Sequence, residues 1–409
     1  MPGEPESCQI SGYQHNRGVK VLISGAGIAG PTLAWWLLRH GIEPVIVEHA
    51  PQLRTGGYVI DFWGAGFDVA DKMGLLPEVR QAGYAVEEVR IVNAAGKRIA
   101  GFSVDVFRRL TDNRYVSLAR GDLAAILFRA VEGRVETIFG DSITSIDRSD
   151  DRVHVAFEHG VPRDFDAVVG ADGLHSRVRE VAFGPERQYE KFLGYYVAAF
   201  ECRGYRPHQE NIYVMFTDVG KQVARFAMRD DRTLVLFVFA DADPDLVRGG
   251  DIDGQKAAIR DRFRGTGWET DAILEAMEPV RSLYFDRVSQ VRMDTWSEGR
   301  VGLVGDAAYC VSLLGGQGSA LAMIGAYVLA YELSRPGSDP ASAFHRYHAR
   351  LAQFLAQKQR AAVGFAKFFA PQSRLQLRLR NAATRLFAFD WVSSLVSRTS
   401  FLDRIDLPQ

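Results

Sequence analysis

The sequence predicts an α/β protein in which a domain built on a parallel sheet is interrupted by a second, mainly antiparallel α+β domain, with helices following. Three observations carry this. Short apolar runs that lead into a glycine turn recur at Val19–Ile23, Asp166–Gly170 and Arg300–Gly305, the pattern of buried parallel strands. Between the second and third of these, Tyr195 to Ala240 is rich in β-branched and aromatic residues, the pattern of a sheet. After them, Ala341 to Asp403 is helical in pattern, with basic residues set between apolar ones.

The bulk numbers fit a globular chain. Of 409 residues, 47% are hydrophobic and 24% charged, enough apolar material for two or three domains of roughly 100–200 residues each. Lysine plus arginine (49) balances aspartate plus glutamate (50), so charge gives no reason to expect a nucleic-acid partner. The three cysteines, Cys8, Cys202 and Cys310, have no metal-ligand spacing and fit a reducing cytoplasm. No apolar run is long enough to span a bilayer. Residues 1–17 are polar, lack the apolar core of a signal peptide and are expected to be a disordered tail.

In chain order, Val19–Ile23 precedes a helix over about Ala29–His40 that Gly41 ends, and then a strand over Pro44–Glu48. Strand, helix and strand within roughly 30 residues make a βαβ unit. Val86–Ser117 alternates apolar and polar residues and reads as antiparallel strand. A helix over Arg120–Val131 follows, then strands near Val135–Phe139, Ile143–Arg148, Val153–Phe157 and Asp166–Gly170. Four strands of one sheet are expected at Ala198–Cys202, Asn211–Phe216, Ala224–Met228 and Thr233–Phe239. Asp251–Met277 is mostly helical, and a long helix is expected over Ser319–Leu333. The basic, amphipathic Ser373–Leu395 segment reads as a helix packed across the domains, with a membrane-surface helix as the alternative.

Gly25-Ala-Gly-Ile-Ala-Gly30 follows a strand and opens a helix. Its first glycine permits a tight turn, its second a close approach of backbone to a pyrophosphate, and its third close helix–strand packing. The helix N-terminus offers unpaired N–H groups to phosphate. Glu48, at the end of the next strand, stands where a carboxylate can accept from a ribose hydroxyl. These residues point to a dinucleotide without choosing between NAD and FAD.

Two later segments make the choice. Asp166-Ala-Val-Val-Gly-Ala-Asp-Gly-Leu-His-Ser-Arg-Val-Arg179 carries a DGxxSxxR pattern, and Gly305-Asp-Ala-Ala308 runs on to Gly315-Gly-Gln-Gly318. With these in order, the chain resembles the flavoprotein aromatic hydroxylases, single-component monooxygenases typified by para-hydroxybenzoate hydroxylase. Gly56-Gly-Tyr-Val-Ile-Asp61 and Ala307-Ala-Tyr-Cys310 look most like the tetracycline-inactivating members. The resemblance implies a Rossmann-like FAD-binding domain over 18–85, 112–185 and 288–340. It also implies an α+β substrate domain over 86–111 and 186–287, and C-terminal helices over 341–409.

It further implies that Gly25, Gly27, Ile28, Ala29, Gly30 and Glu48 hold the adenosine half of FAD, with Arg54 as a further candidate. Asp172 and Gly173 would lie near the pyrophosphate, and Arg120 would open a helix facing the flavin. Gly305 and Asp306 would hold ribityl or ribose hydroxyls, and Gly316, Gln317, Gly318 and Ser319 would meet the flavin pyrimidine edge. There a helix dipole stabilises the anionic reduced ring. With one fingerprint only, NADPH or NADH would bind transiently. O2 would add to flavin C4a, and the resulting hydroperoxide would oxygenate a bulky aromatic or polyketide-like small molecule.

The substrate is expected between flavin and sheet, reached by Tyr58, Tyr196, Tyr213 and Arg225. Phe226, Phe237 and Phe239 would supply apolar walls, and Leu314 and Gly315 would border the space. Where the family has histidine, proline and asparagine, this chain has Tyr309, Ser312-Leu313 and Ala320, changes expected beside the flavin ring. They leave a flavin-dependent dehydrogenase or oxidase, or a non-catalytic ligand-binding descendant, as alternatives. No metal site is expected, and the assembly is expected to be a monomer or homodimer in the cytoplasm.

Overall fold

The computed structural model describes residues 18–54, 58–205, 211–247, 251–387 and 405–408. The tail expected over 1–17, the Gly56-Gly57 pair and the helical pattern over 388–403 lie outside these residues.

The chain begins with β1 (Lys20–Ser24), α1 (Ala29–Arg39), β2 (Glu43–Glu48), β3 (Val59–Trp63), α2 (Ala65–Lys72) and α3 (Leu76–Ala82). Next come β4 (Glu88–Val92), β5 (Arg98–Ser103), α4 (Asp105–Leu110), β6 (Tyr115–Ala119) and α5 (Arg120–Arg129). Strands β7 (Glu136–Phe139), β8 (Ile143–Arg148), β9 (Val153–Phe157), β10 (Arg163–Phe165) and β11 (Ala167–Gly170) lead to α6 (Arg177–Phe183). Then follow β12 (Glu190–Arg203), β13 (Ile212–Asp218), β14 (Lys221–Ala227), β15 (Arg232–Ala240), α7 (Ile252–Phe263), α8 (Thr270–Met277) and β16 (Tyr284–Val291). The last elements are β17 (Ser297–Glu298), β18 (Val301–Leu303), α9 (Asp306–Tyr309), α10 (Gly318–Ser334), α11 (Pro340–Phe369) and α12 (Arg374–Phe387).

Two sheets organise these elements. The first has the order β17-β18-β11-β1-β2-β7, and β18, β11, β1, β2 and β7 run parallel. Helices cover its faces, which is why β1 and β11 are apolar along their length rather than alternating. The carboxyl ends of these strands share one edge, the place where open α/β sheets bind ligands. The second sheet has the order β16-β12-β15-β14-β13-β4-β5. It is antiparallel except where β4 pairs with β13. One of its faces packs on α7 and α8 through Phe237, Phe239, Phe263, Ile273 and Met277.

Helix α10 is buried almost all round, as its near-continuous apolar sequence requires. Its one charged residue, Glu332, is 1% exposed and is met by Arg335, Arg346 and Arg350 at 3.2, 2.8 and 3.2 Å. A carboxylate at that depth needs such partners to remain ionised.

Three local differences from the sequence expectation have simple causes. Val86–Ser117 is not continuous strand. Helix α4 interrupts it, opened by Ser103 Oγ accepting from Asp105 N (3.2 Å) and braced by an Asp105–Arg108 pair at 2.8 Å. Strand β12 is fourteen residues long rather than the five of Ala198–Cys202. A bulge between Phe192 and Tyr196 lets one strand pair with two halves of β16. Strand β16 escaped notice because Asp286, Arg287, Ser289 and Gln290 break its apolar alternation.

Tyr309 is also corrected. Its ring is 2% exposed and packs on Trp296 at 4.7 Å between ring centres, with its hydroxyl 3.3 Å from that of Tyr347. It is a core residue under the middle of α10, and Gly325 leaves the room for it. A Cβ at Gly325 would lie 1.8 Å from the Tyr309 hydroxyl. Gly325→Ala is therefore expected to destabilise the protein by about 1–3 kcal/mol through overpacking. Adding Tyr309→Phe to it should recover part of the loss in a thermal-unfolding double-mutant cycle. Strict additivity of the two changes would show that they do not meet.

Candidate functional site

Three loops converge at the carboxyl edge of the parallel sheet. In the first, Gly25 (φ +108°) donates to Val47 O at 2.7 Å. A Cβ there would lie 2.6 Å from Ala171 O, and one at Gly30 would lie 1.9 Å from Gly25 O. Both positions therefore need glycine for close packing. A Cβ at Gly27, by contrast, would meet only the Arg120 guanidinium, at 3.9 Å, and those at Gly173 and Gly316 would meet nothing within 4 Å. Open space thus lies above Gly27, Gly173 and Gly316. Ile28 and Ala29, at the start of α1, are buried, and no side chain caps the helix N-terminus. Its N–H groups remain for an anion.

Glu48 reaches back across the loop, accepting from Ala26 N and Ala50 N at 2.9 Å each. Oε1 also meets the His49 ring at 3.1 Å, and Oε2 keeps a further lone pair for a ribose hydroxyl. Arg54 meets His49 at 2.5 Å on the exposed side.

The second loop is tied to the first and third. Asp172 accepts from Ser24 Oγ (3.2 Å), Ser176 Oγ (2.5 Å) and Val178 N (3.1 Å). It therefore joins the end of β1 to the start of α6, and burial pushes its pKa up. Arg179 has no exposed surface. It donates to Ala307 O at 2.9 Å and Leu174 O at 2.6 Å, binding the DGxxSxxR loop to the GDAA turn.

In the third loop Gly305 (φ +69°) sits against Ala29 and Ala322, where a Cβ would lie 3.3 and 3.4 Å from theirs. Asp306 starts α9 in a desolvating setting that raises its pKa, an effect opposed by the nearby Arg120. Among the described residues its hydrogen-bond partner is Cys310, which leaves acceptor capacity free. Ser312 has φ +112° and a buried hydroxyl with no partner. Such backbone strain costs on the order of 1–3 kcal/mol, and the loop holds it through Gly315 N donating to Ser312 O at 3.0 Å.

Gly316 (φ +66°) turns the chain into α10, whose first turn (Gly318, Ser319) has no side-chain cap at Gln317. Ala320, expected beside the flavin, lies where a Cβ on Gly66 would come within 2.6 Å of its own. A larger residue there would push α2 off α10. Gly315 packs on Ala362 of α11, where a Cβ would lie 3.3 Å away.

The substrate-side expectations divide by strand parity. Tyr213 stacks on Phe226 at 4.5 Å, on the sheet face that looks toward β3 and β6. Leu314 touches Tyr195, Val197, Val238 and Val288 on that same face. Tyr58 stands between the sheet and the loops, 5.9 Å from the Tyr284 ring, and burial pushes its pKa up to about 12. Tyr196, Arg225, Phe237 and Phe239 are corrected, because alternate residues point to opposite faces and these four face α7 and α8. Tyr196 pairs in register with Phe239 and donates to Asp243 O at 2.9 Å. Arg225 is held by Glu269 at 2.6 and 2.9 Å.

One residue the sequence reading did not single out links the two halves. His175, in the DGxxSxxR loop, meets Glu186 through Nδ1 (3.0 Å) and Asp286 of β16 through Nε2 (3.1 Å). A ring facing carboxylates at both nitrogens must donate from both, so it is an imidazolium. Its pKa rises from 6.5 to about 10 through hydrogen bonds to Asp286 and Glu186, against desolvation. A raised folded pKa gives stability that is complete below the ordinary value and lost as pH rises through the folded one. The unfolding midpoint of His175→Gln should thus lie below that of the parent by a constant margin under pH 6.5, shrinking to nothing by about pH 10. A margin that does not change over that range would contradict the imidazolium.

The comparisons agree with this geometry. The family model described as "FAD binding domain" matches residues 18–361. A flavin-dependent monooxygenase of Legionella longbeachae is 34% identical over 367 residues, 87% of this chain and 90% of that protein. The crystal structure of tetracycline destructase Tet(51) superposes with a TM-score of 0.82 at 33% identity, covering 96% of this chain and 99% of that one. The Klebsiella pneumoniae protein HpxO, solved with FAD and uric acid, shares the fold at TM-score 0.79 and 21% identity, covering 94% of this chain and 97% of that one. Among the described residues, no helix is long and apolar enough to cross a membrane and no metal-ligand cluster occurs.

Proposed function

The chain belongs to the FAD binding domain family of flavoprotein monooxygenases, and from that premise we propose that it uses NADPH or NADH and O2 to hydroxylate a bulky polycyclic or aromatic molecule. The observation that carries this reading is the meeting of the three loops, with open space above Gly173 and Gly316, beside the inner face of the second sheet. Tyr58 and Tyr284 stand beside Asp306 and Arg120 at one end of it, and Tyr213 and Phe226 form an aromatic wall.

The residues fit FAD. Gly25–Gly30 and the α1 N-terminus would take the pyrophosphate, Glu48 a ribose and Asp306 a hydroxyl of the extended chain. The uncapped start of α10 would face the pyrimidine edge, its dipole favouring negative charge there. Arg120, which no carboxylate of the described residues pairs within salt-bridge range, would add a second positive charge. Bound FAD supplies hydride acceptance and oxygen activation. The protein's part is to hold the substrate against the site and to keep water out.

The balance is substrate C–H, O2, NAD(P)H and a proton going to C–OH, water and NAD(P)+. Residues of the site need not act as general acid or base. The polycyclic class is drawn from the tetracycline destructase likeness together with the aromatic residues of the inner sheet face.

The FAD-loaded protein, given NADPH and tetracycline in air, should consume NADPH faster than without the compound. Mass spectrometry should show a product heavier by one oxygen atom, labelled when the reaction is run under 18O2. NADPH oxidation that yields only hydrogen peroxide with tetracyclines and with a panel of phenols would contradict the proposal and favour an oxidase.

A further inference from the structure

The second sheet carries a cleft on the face that packs on α7 and α8, the side away from the three loops. Its volume is about 450 Å³, within the range of clefts that hold small organic ligands. Arg90, Val214 and Arg225 stand side by side in register across β4, β13 and β14, so all three point to this face. Val214 and Arg225, 1% and 4% exposed, form the floor. The exposed β4–β5 turn at Ala94–Gly96 and Arg98 form the rim, and Trp268, just ahead of α8, closes one wall.

The walls are fixed. Trp268 N donates to Ala94 O at 2.6 Å, and a Cβ on Gly267 would come within 2.8 Å of that of Ala94. Trp268 itself has φ +54°, a conformation that a bulky residue adopts only when its surroundings impose it. The turn and the start of α8 are thus held at a set spacing across the cleft.

Hydrogen bonding in the cleft is lopsided. Glu269 accepts from Arg225 Nε at 2.6 Å, Arg225 Nη2 at 2.9 Å and the Tyr205 hydroxyl at 2.5 Å. Glu88 accepts from Arg90 Nε at 3.1 Å and Arg98 Nε at 2.7 Å. Both carboxylates are engaged, whereas the three guanidiniums carry more N–H donors than these bonds use. Arg225 Nη1 is buried and has no hydrogen-bond partner among the described residues. A buried charged donor left unmade is costly, and this one belongs to the floor of an open cleft. The rest of the lining is apolar, with Val92 and Val214 below and the Trp268 ring beside, its centre 5.5 Å from the Arg225 guanidinium carbon.

We propose that this cleft is a second small-molecule site, separate from the flavin site, for an organic acid with a flat apolar body. The carboxylate would accept from Arg225 Nη1 in a charge-assisted bond. The body would lie against the Trp268 ring and the valine floor, contact that a bare inorganic anion forgoes.

The test titrates 2-naphthoate, the neutral 2-naphthylmethanol and inorganic phosphate into the FAD-loaded protein by calorimetry, with the flavin spectrum recorded alongside. Naphthoate should bind tighter than the alcohol by on the order of tenfold or more, the worth of one charged hydrogen bond. It should also bind tighter than phosphate and leave the flavin spectrum unchanged. Arg225→Gln should bring acid and alcohol within about twofold of each other. Ala95→Trp, a change on the exposed rim that fills the mouth, should weaken naphthoate by about tenfold or more, and it serves as the deciding variant if Arg225→Gln does not fold. No binding of naphthoate, equal affinity for acid and alcohol, or phosphate bound as tightly as naphthoate would each overturn the proposal. So would naphthoate binding that Ala95→Trp leaves intact, and a shift of the flavin spectrum in that case would place the acid at the flavin site.

Discussion

The Arg179 guanidinium, with no exposed surface, is the contact on which the rest of the site depends. It joins the carbonyls of Leu174 and Ala307, at 2.6 and 2.9 Å, and so sets the DGxxSxxR loop against the GDAA turn. The buried Ala307 carbonyl would cost roughly 1–3 kcal/mol if left without its partner. Asp172 performs the matching task on the other side, holding Ser24 at the end of β1 and Ser176 at the start of α6. The backbone of Gly25 lies directly against Ala171. Three segments far apart in the chain thus become one surface, through buried polar contacts that would be costly to leave half made.

Around that junction, small residues and strain set the shape. Gly66 and Ala320 let α2 lie on the first turn of α10, and Gly325 makes room for Tyr309. The chain departs here from the histidine and asparagine expected of its relatives, and the replacements Tyr309 and Ala320 pack on Trp296 and against Gly66. Ser312 is different. Its φ of +112° and unpartnered hydroxyl store strain at the turn leading to Gly316, next to where the flavin edge would rest. His175 then carries the junction across to Asp286 on the second sheet.

The glycine loops, the parallel strands and α10 were legible because each is written in a short stretch of chain, as a glycine at a forced turn or an apolar run ahead of a helix. The α/β fold with an inserted sheet followed from their order. Sheet parity was harder. Phe226 and Phe237 are both aromatic strand residues, yet only pairing and register decide that the first looks toward β3 and the second toward α7. Arg179 and His175 were visible as letters of a motif, but their partners Ala307 and Asp286 lie more than a hundred residues away. No local pattern announces such contacts. Tyr309 was misread because its neighbours in sequence line the site, while its own side chain turns into the core.

The central claim is that Gly25–Gly30, Asp172-Gly173 and Gly305–Gly318 together make one FAD site. Reconstitution with FAD, followed by the visible flavin spectrum and protein concentration, tests it most directly when Asp306→Ala is measured beside the parent. The account predicts a yellow, equimolar complex for the parent and FAD affinity weaker by about tenfold or more for a folded Asp306→Ala. A parent that stays colourless, or a variant that binds FAD as tightly as the parent, would contradict it.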